Sequence, residues 1–176
     1  GLRATCHPQP FPGIGTACHA NISFNASEDT ASLEKRQTQF MANVLEHLPA
    51  LCAFTLPEAV SYARVADDSW TSGTYVAWGT QNRETPLRMV ATPRGLPARW
   101  EVRCLDGMAN MYLALHVIVA VGLQGLREET EMKLKDCQGE LAELFAENVA
   151  EFGAVNPSQL SESDQTDLGI TERLPM

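Results

Sequence analysis

A chain of 176 residues that is 44% apolar is long enough for one domain with a sizeable core. Its net charge of −9 is unevenly placed: residues 1–126 hold nine Lys/Arg against ten Asp/Glu and residues 127–176 hold four against twelve, so no net basic face is expected and a nucleic-acid partner is argued against. A membrane partner is argued against too, because no apolar run reaches the roughly 18–20 residues of a span and Met111–Leu126 is interrupted by His116, Gly122 and Gln124.

The elements follow in chain order. After a proline-rich turn over 7–13, Cys18 to Phe24 alternates and predicts a strand, with Cys18, Ala20, Ile22 and Phe24 inward and His19, Asn21 and Ser23 on the other face. Ser32 to Leu48 predicts a helix with Ser32 as its N-cap and Pro49 as its end. Residues 51–63 read as a loop with short helical turns. Thr74–Thr80 and Pro86–Thr92 read as strands, with Pro93-Arg94-Gly95 as the turn into a strand at Arg99–Cys104. That order is a meander, so the fold class is α+β, a largely antiparallel sheet with flanking helices. Ala109–Leu126 is the longest helix, apolar nearly all round and so expected to be buried. Residues 137–154 read as an atypical helical insertion and Asn156–Leu168 as a polar loop.

The five cysteines (6, 18, 52, 104 and 137) are scattered, odd in number and without a CxxC pair. With no secretory-type leader they read as reduced thiols of a cytoplasmic protein, and the sequons at Asn21 and Asn25 as chance matches.

The chemistry concentrates on one strand. From Arg99 to Cys104 polar and apolar residues alternate, placing Trp100, Val102 and Cys104 inward and Arg99, Glu101 and Arg103 on one ridge. Five of the ten arginines (83, 88, 94, 99 and 103) fall in a stretch without lysine, which suits oriented recognition of carboxylate or phosphate. His19 on the neighbouring strand, with Glu101, makes a plausible half-set of ligands for Mg²⁺ or Mn²⁺. Taken alone, a salt-bridge ladder and a structural histidine explain these residues as well.

Six segments in order carry a family resemblance: Gly15–Ser23 with His19; His47–Leu51; Ser61-Tyr62-Ala63-Arg64; Tyr75–Gly79 with Asn82-Arg83-Glu84; Leu87-Arg88; and Arg99–Arg103 followed by Asp106–Leu113. The chain resembles the C-terminal catalytic (guanido-kinase-like) domain of the glutamine synthetase family over residues 1–136, and again near 155–175, with the fungal fluG-type modules nearest on Ser69-Trp70 and Trp78-Gly79. The resemblance implies an ATP-dependent γ-glutamyl–amine or ammonia ligase that works through a γ-glutamyl phosphate. It implies His19 and Glu101 as ligands of Mg²⁺ or Mn²⁺, Gly15, Arg64 and Arg103 around the glutamate-like carboxylate, Arg83 at the transferring phosphoryl group, and Arg88, Arg99 and Asn21 at ATP. Arg94 has no implied role. The implied partners are that carboxylate substrate and an amine, and the full-length protein is expected to be a ring-shaped homo-oligomer.

The chain departs from the family pattern in places. The E-x-E glutamates of the family's N-terminal part have no match, so a fragment inactive by itself is expected. Asn21 stands where the family has a second histidine. Trp70 stands six residues after Arg64, where ammonia-using members carry a glutamate, which favours a bulkier amine. The alternative reading is a non-catalytic glutamine-synthetase-like scaffold or developmental signalling module.

Overall fold

The computed structural model describes residues 2–24, 29–69, 71–91, 97–137 and 155–175. The predicted insertion (137–154) apart from Cys137, the turn at 93–95 and Trp70 lie outside them. Among the described residues, four strands form one sheet: β1 (Ala20–Ile22), β2 (Trp78–Thr80), β3 (Leu87–Ala91) and β4 (Pro97–Val102), in the order β1-β4-β3-β2. The helices are α1 (Thr30–Glu46), α2 (Leu48–Thr55), α3 (Ala59–Arg64), α4 (Met111–Glu128) and α5 (Glu162–Asp167). The α+β class expected from sequence is the class observed.

Register explains how the sheet divides its labour. Gly79, Arg88, Glu101 and Asn21 pair in one row across all four strands. Side chains alternate along a strand, so the flanking rows, Trp78-Leu87-Val102-Ala20 and Thr80-Met89-Trp100-Ile22, face the opposite way. That second face is the core, closed by Phe40, Val44 and Leu45 of α1, Leu51 and Cys52 of α2 and Ala114 and Ile118 of α4. Trp78 and Trp100 pack there with ring centroids 5.3 Å apart.

The meander expectation fails at β2. It runs parallel to β3 although only residues 81–86 connect them. Parallel neighbours ordinarily need a crossover of a dozen residues or more. Here the chain doubles back at once, with Gln81 at φ 58° and the buried Asn82 bracing the return. Asn82 Oδ1 accepts from Glu84 N, and its Nδ2 donates to the carbonyls of Cys137 and Val155 at 3.1 and 2.8 Å. Gly79 is required beside it, since a Cβ there would lie 2.7 Å from Asn82 Cβ.

Other local expectations shift for identifiable reasons. Asp29, not Ser32, caps α1: its carboxylate accepts from Ser32 N at 3.0 Å and from the Ser32 hydroxyl at 2.7 Å. Pro49 opens α2, where its missing N–H costs no bond. The first strand shrinks to Ala20–Ile22, and Cys18 is exposed rather than inward. Helix α4 is not buried all round. It packs on α1 through Ala114, Ile118, Gly122 and Gly125, while Tyr112, Leu113, Leu115, Val119 and Leu123 remain exposed. The stretch 156–168, read as loop, contains a 3-10 turn (Pro157–Gln159) and α5. No described helix is long and apolar enough to cross a membrane.

Candidate active site

The polar face of the sheet gathers around one carboxylate. Glu101 is 6% exposed, although its strand position alone would suit a solvated ridge. Its Oε1 lies 2.9 Å from His19 Nδ1, and its Oε2 lies 2.7 Å from Arg88 Nε and 2.9 Å from Arg103 Nη1. His19 immediately precedes β1, β3 carries Arg88 and β4 carries Glu101, with Arg103 just past its end and pinned by its N–H to the Pro86 carbonyl. Burial pushes the Glu101 carboxyl up, but hydrogen bonds from His19 and Arg103 and the charges of Arg103 and Arg88 outweigh it and hold the group at about 2. An ionised Glu101 can only accept, so His19 Nδ1 is the donor of this bond. Burial pulls the Arg103 guanidinium down, opposed by Glu101 and assisted by Arg88 and Arg83. Arg83 is itself exposed, and its charge is felt at Arg103.

Two further groups adjoin this centre. Arg99 and Asn21, both exposed, are joined by a 2.9 Å bond from Arg99 Nε to Asn21 Oδ1 at the β1–β4 edge. Arg64, at the end of α3, is 2% exposed and donates to the Thr71 and Arg103 carbonyls, both at 3.4 Å. Gly15 lies against it: a Cβ there would sit 3.1 Å from Arg64 Cγ. So the nine residues singled out from sequence fall into a tight centre (His19, Arg88, Glu101, Arg103), an outer pair (Asn21, Arg99), a buried pair (Gly15, Arg64) and the exposed Arg83. Sequence reasoning passed over Asp106, which is fully buried. Its signal was available in the Arg103-Cys104-Leu105-Asp106 spacing, but a charged residue after a strand reads by default as a turn residue.

Arg88 and Arg103 share one carboxylate, so the site can accept further negative charge such as phosphate oxygens. The fit to a divalent cation is partial. His19 and Glu101 are two donors, and among the described residues no third His, Cys, Asp or Glu joins them. That set suits an ion whose other positions are filled by phosphate oxygens and water.

The glutamine synthetase catalytic-domain model matches residues 1–165. The chain therefore belongs to the glutamine synthetase catalytic-domain family. It is 40% identical over 176 residues to the protein fluG of Emericella nidulans, covering 99% of this chain and 17% of that protein. It is 37% identical over 147 residues to a glutamine synthetase of Rhizobium leguminosarum, covering 74% and 33%, and 37% identical over 140 residues to the gamma-glutamylpolyamine synthetase GlnA3 of Streptomyces coelicolor, covering 72% and 29%. The chain thus spans a third or less of these relatives. Among solved structures, an ADP complex of GmaS matches with a TM-score of 0.68 at 23% identity, over 99% of this chain and 38% of that one. Ligand-free GmaS matches at 0.69 and 24%, over 99% and 36%. These two likenesses speak to the fold.

Proposed function

We propose that this domain supplies the nucleotide- and carboxylate-binding wall of an ATP-dependent γ-glutamyl–amine ligase. The observation that carries the reading is the buried Glu101 carboxylate held by His19, Arg88 and Arg103, within a domain of a ligase family. In the reaction, the γ-carboxylate attacks the γ-phosphorus of ATP, ADP leaves, and the amine then displaces phosphate from the acyl phosphate. Both steps develop charge on phosphoryl oxygens, so positioned cations do most of the work. Arg88 and Arg99 hold ATP phosphates, with Asn21 fixing Arg99 from the side. Arg83, exposed beside this centre, meets the transferring phosphoryl group. Arg64 and Arg103 orient the substrate carboxylate, and Gly15 leaves room beside Arg64. His19 and Glu101 would hold a Mg²⁺ or Mn²⁺ ion, which would supply charge neutralisation at the phosphates. Trp70, where a charged flap residue would assist ammonium, favours a larger amine; the polyamine-specific name of one relative is consistent with that.

The test is ADP release by the full-length protein given ATP, Mg²⁺, glutamate and either ammonium or a polyamine. Turnover that Arg83→Ala reduces by roughly tenfold or more supports the reading. Absence of amine-dependent turnover, with nucleotide still bound, supports the second reading: a scaffold that keeps the fold without the reaction. The engagement of both Glu101 oxygens by protein groups, Oε1 by His19 and Oε2 by Arg88 and Arg103, is the observation that favours that second reading.

A further inference from the structure

Asp106 and Arg64 are both buried, at 0% and 2% exposure, and carry opposite charges. Each is incompletely satisfied. Asp106 Oδ1 accepts from Met108 N at 2.9 Å, while Oδ2 is buried with no hydrogen-bond partner among the described residues. Among the described residues, Arg64 has two long bonds to carbonyls, and its Nε is buried without a hydrogen-bond partner. Arg64 Nη2 reaches the Arg103 carbonyl at 3.4 Å, three residues before Asp106 on the same segment. No ion pair or hydrogen bond joins the two residues directly, yet the Asp106 carboxylate opposes the burial that lowers the Arg64 pKa. The segment that holds Asp106 is well fixed: its N–H reaches the Thr55 carbonyl and its carbonyl accepts from Ala109 N. A buried guanidinium left without compensating charge would be strongly destabilising, so a nearby buried carboxylate that makes no direct pair calls for an explanation.

We infer that Asp106 is the resident counter-ion of Arg64, a positioning residue that keeps the guanidinium compensated while the site is empty and competes with the incoming substrate carboxylate. The inference rests on the ligase reading for the identity of that carboxylate. Its consequence runs against the usual outcome of mutating a buried acid beside a binding site. Removing the Asp106 charge destabilises the empty protein, because Arg64 loses its compensation. It leaves a bound carboxylate to supply the compensation that Asp106 gave Arg64, so binding tightens. On this account the two changes have opposite sign, because the charge lost from the empty site is supplied in the bound one by the substrate carboxylate.

The experiment compares wild type and Asp106→Asn in the full-length protein. Asparagine keeps the Oδ1 acceptor for Met108 N, so the turn is preserved and only the charge is lost. Glutamate is titrated calorimetrically with Mg²⁺ and a non-hydrolysable ATP analogue present, and thermal midpoints are read with and without glutamate. The expected result is a lower midpoint without glutamate, glutamate affinity higher by roughly fivefold or more, and a larger glutamate-induced rise in midpoint. Unchanged or weaker glutamate binding by Asp106→Asn, with wild type binding normally, overturns the counter-ion role and leaves the ligase reading standing. Failure of wild type to bind glutamate at all overturns both. If Asp106→Asn does not fold, the double variant Arg64→Met/Asp106→Asn decides: recovery of folding supports charge compensation, and continued failure shows that Asp106 serves the turn alone.

Discussion

At Glu101, folding lowers the carboxyl from 4.5 to about 2. The folded value lies below the unfolded one, so the stabilisation is fully present above about pH 4.5 and is lost as pH falls toward 2. It amounts to at most about 3 kcal/mol. Denaturant titrations between pH 7 and pH 2 will show this loss in wild type, and Glu101→Gln will lack that component. At neutral pH Glu101→Gln is expected to cost roughly 3–5 kcal/mol, because Arg88 and Arg103 are left buried around a neutral amide. Chemical denaturation at pH 7 measures it, and a cost below about 1 kcal/mol, the range of exposed pairs, would mean that the cluster is solvated rather than buried.

Between elements, α1 and α4 approach through glycine. A Cβ at Gly125 would lie 2.5 Å from the Gln39 carbonyl oxygen and 2.6 Å from Asn43 Cβ, and Asn43 Nδ2 donates to the Val121 carbonyl at 2.6 Å across the same interface. Gly125→Ala gains up to about 1 kcal/mol in helix propensity. It also forces two backbones apart, which typically costs about 1–3 kcal/mol. The net expectation is a lower thermal midpoint, and an increase would show that the helices can separate freely. This interface also marks where sequence reading falls short. The alternation at Arg99–Cys104 correctly placed Trp100, Val102 and Cys104 inward, because a period of two leaves no choice of face. It gave no warning that Glu101 and Arg103 would be buried as well, since that depends on β1 and β3 covering them. In α4 the apolar residues go all round, so the sequence pattern does not specify a buried side; the two glycines do, by allowing close approach. The parallel β2–β3 pair was hidden for a similar reason: Asn82 makes its decisive bonds to residues more than fifty positions away.

Across the whole molecule, the C-terminal segment completes the sheet's β2 edge. Trp78 Nε1 donates to the Leu134 carbonyl, Thr80 binds Asp136 through N–H and hydroxyl, and Val76 N and Leu174 N bond across to the Glu172 and Thr74 carbonyls. Residues 137 and 155 meet there, with Val155 N donating to the Cys137 carbonyl at 3.2 Å and Asn82 bridging both. The ends of segment 138–154 are therefore held together independently of what joins them. Replacing that segment with a short Gly/Ser linker is expected to keep the fold and shift the thermal midpoint by only a few degrees. A collapse of cooperative unfolding would show that the segment itself contributes to the core. Asn82→Ala, in contrast, removes the donor shared by two buried carbonyls and is expected to cost about 1–3 kcal/mol, read by the same melts.

The central claim is that the Glu101 centre is a nucleotide–metal site and not a structural salt-bridge cluster. Calorimetric titration of the full-length protein with a non-hydrolysable ATP analogue and Mg²⁺ tests it most directly, with Arg99→Ala beside wild type because exposed Arg99 contributes little to the fold. The site predicts binding by wild type and a loss of roughly tenfold or more in Arg99→Ala. Binding that is absent in the folded wild type, or equal in both proteins, would contradict it.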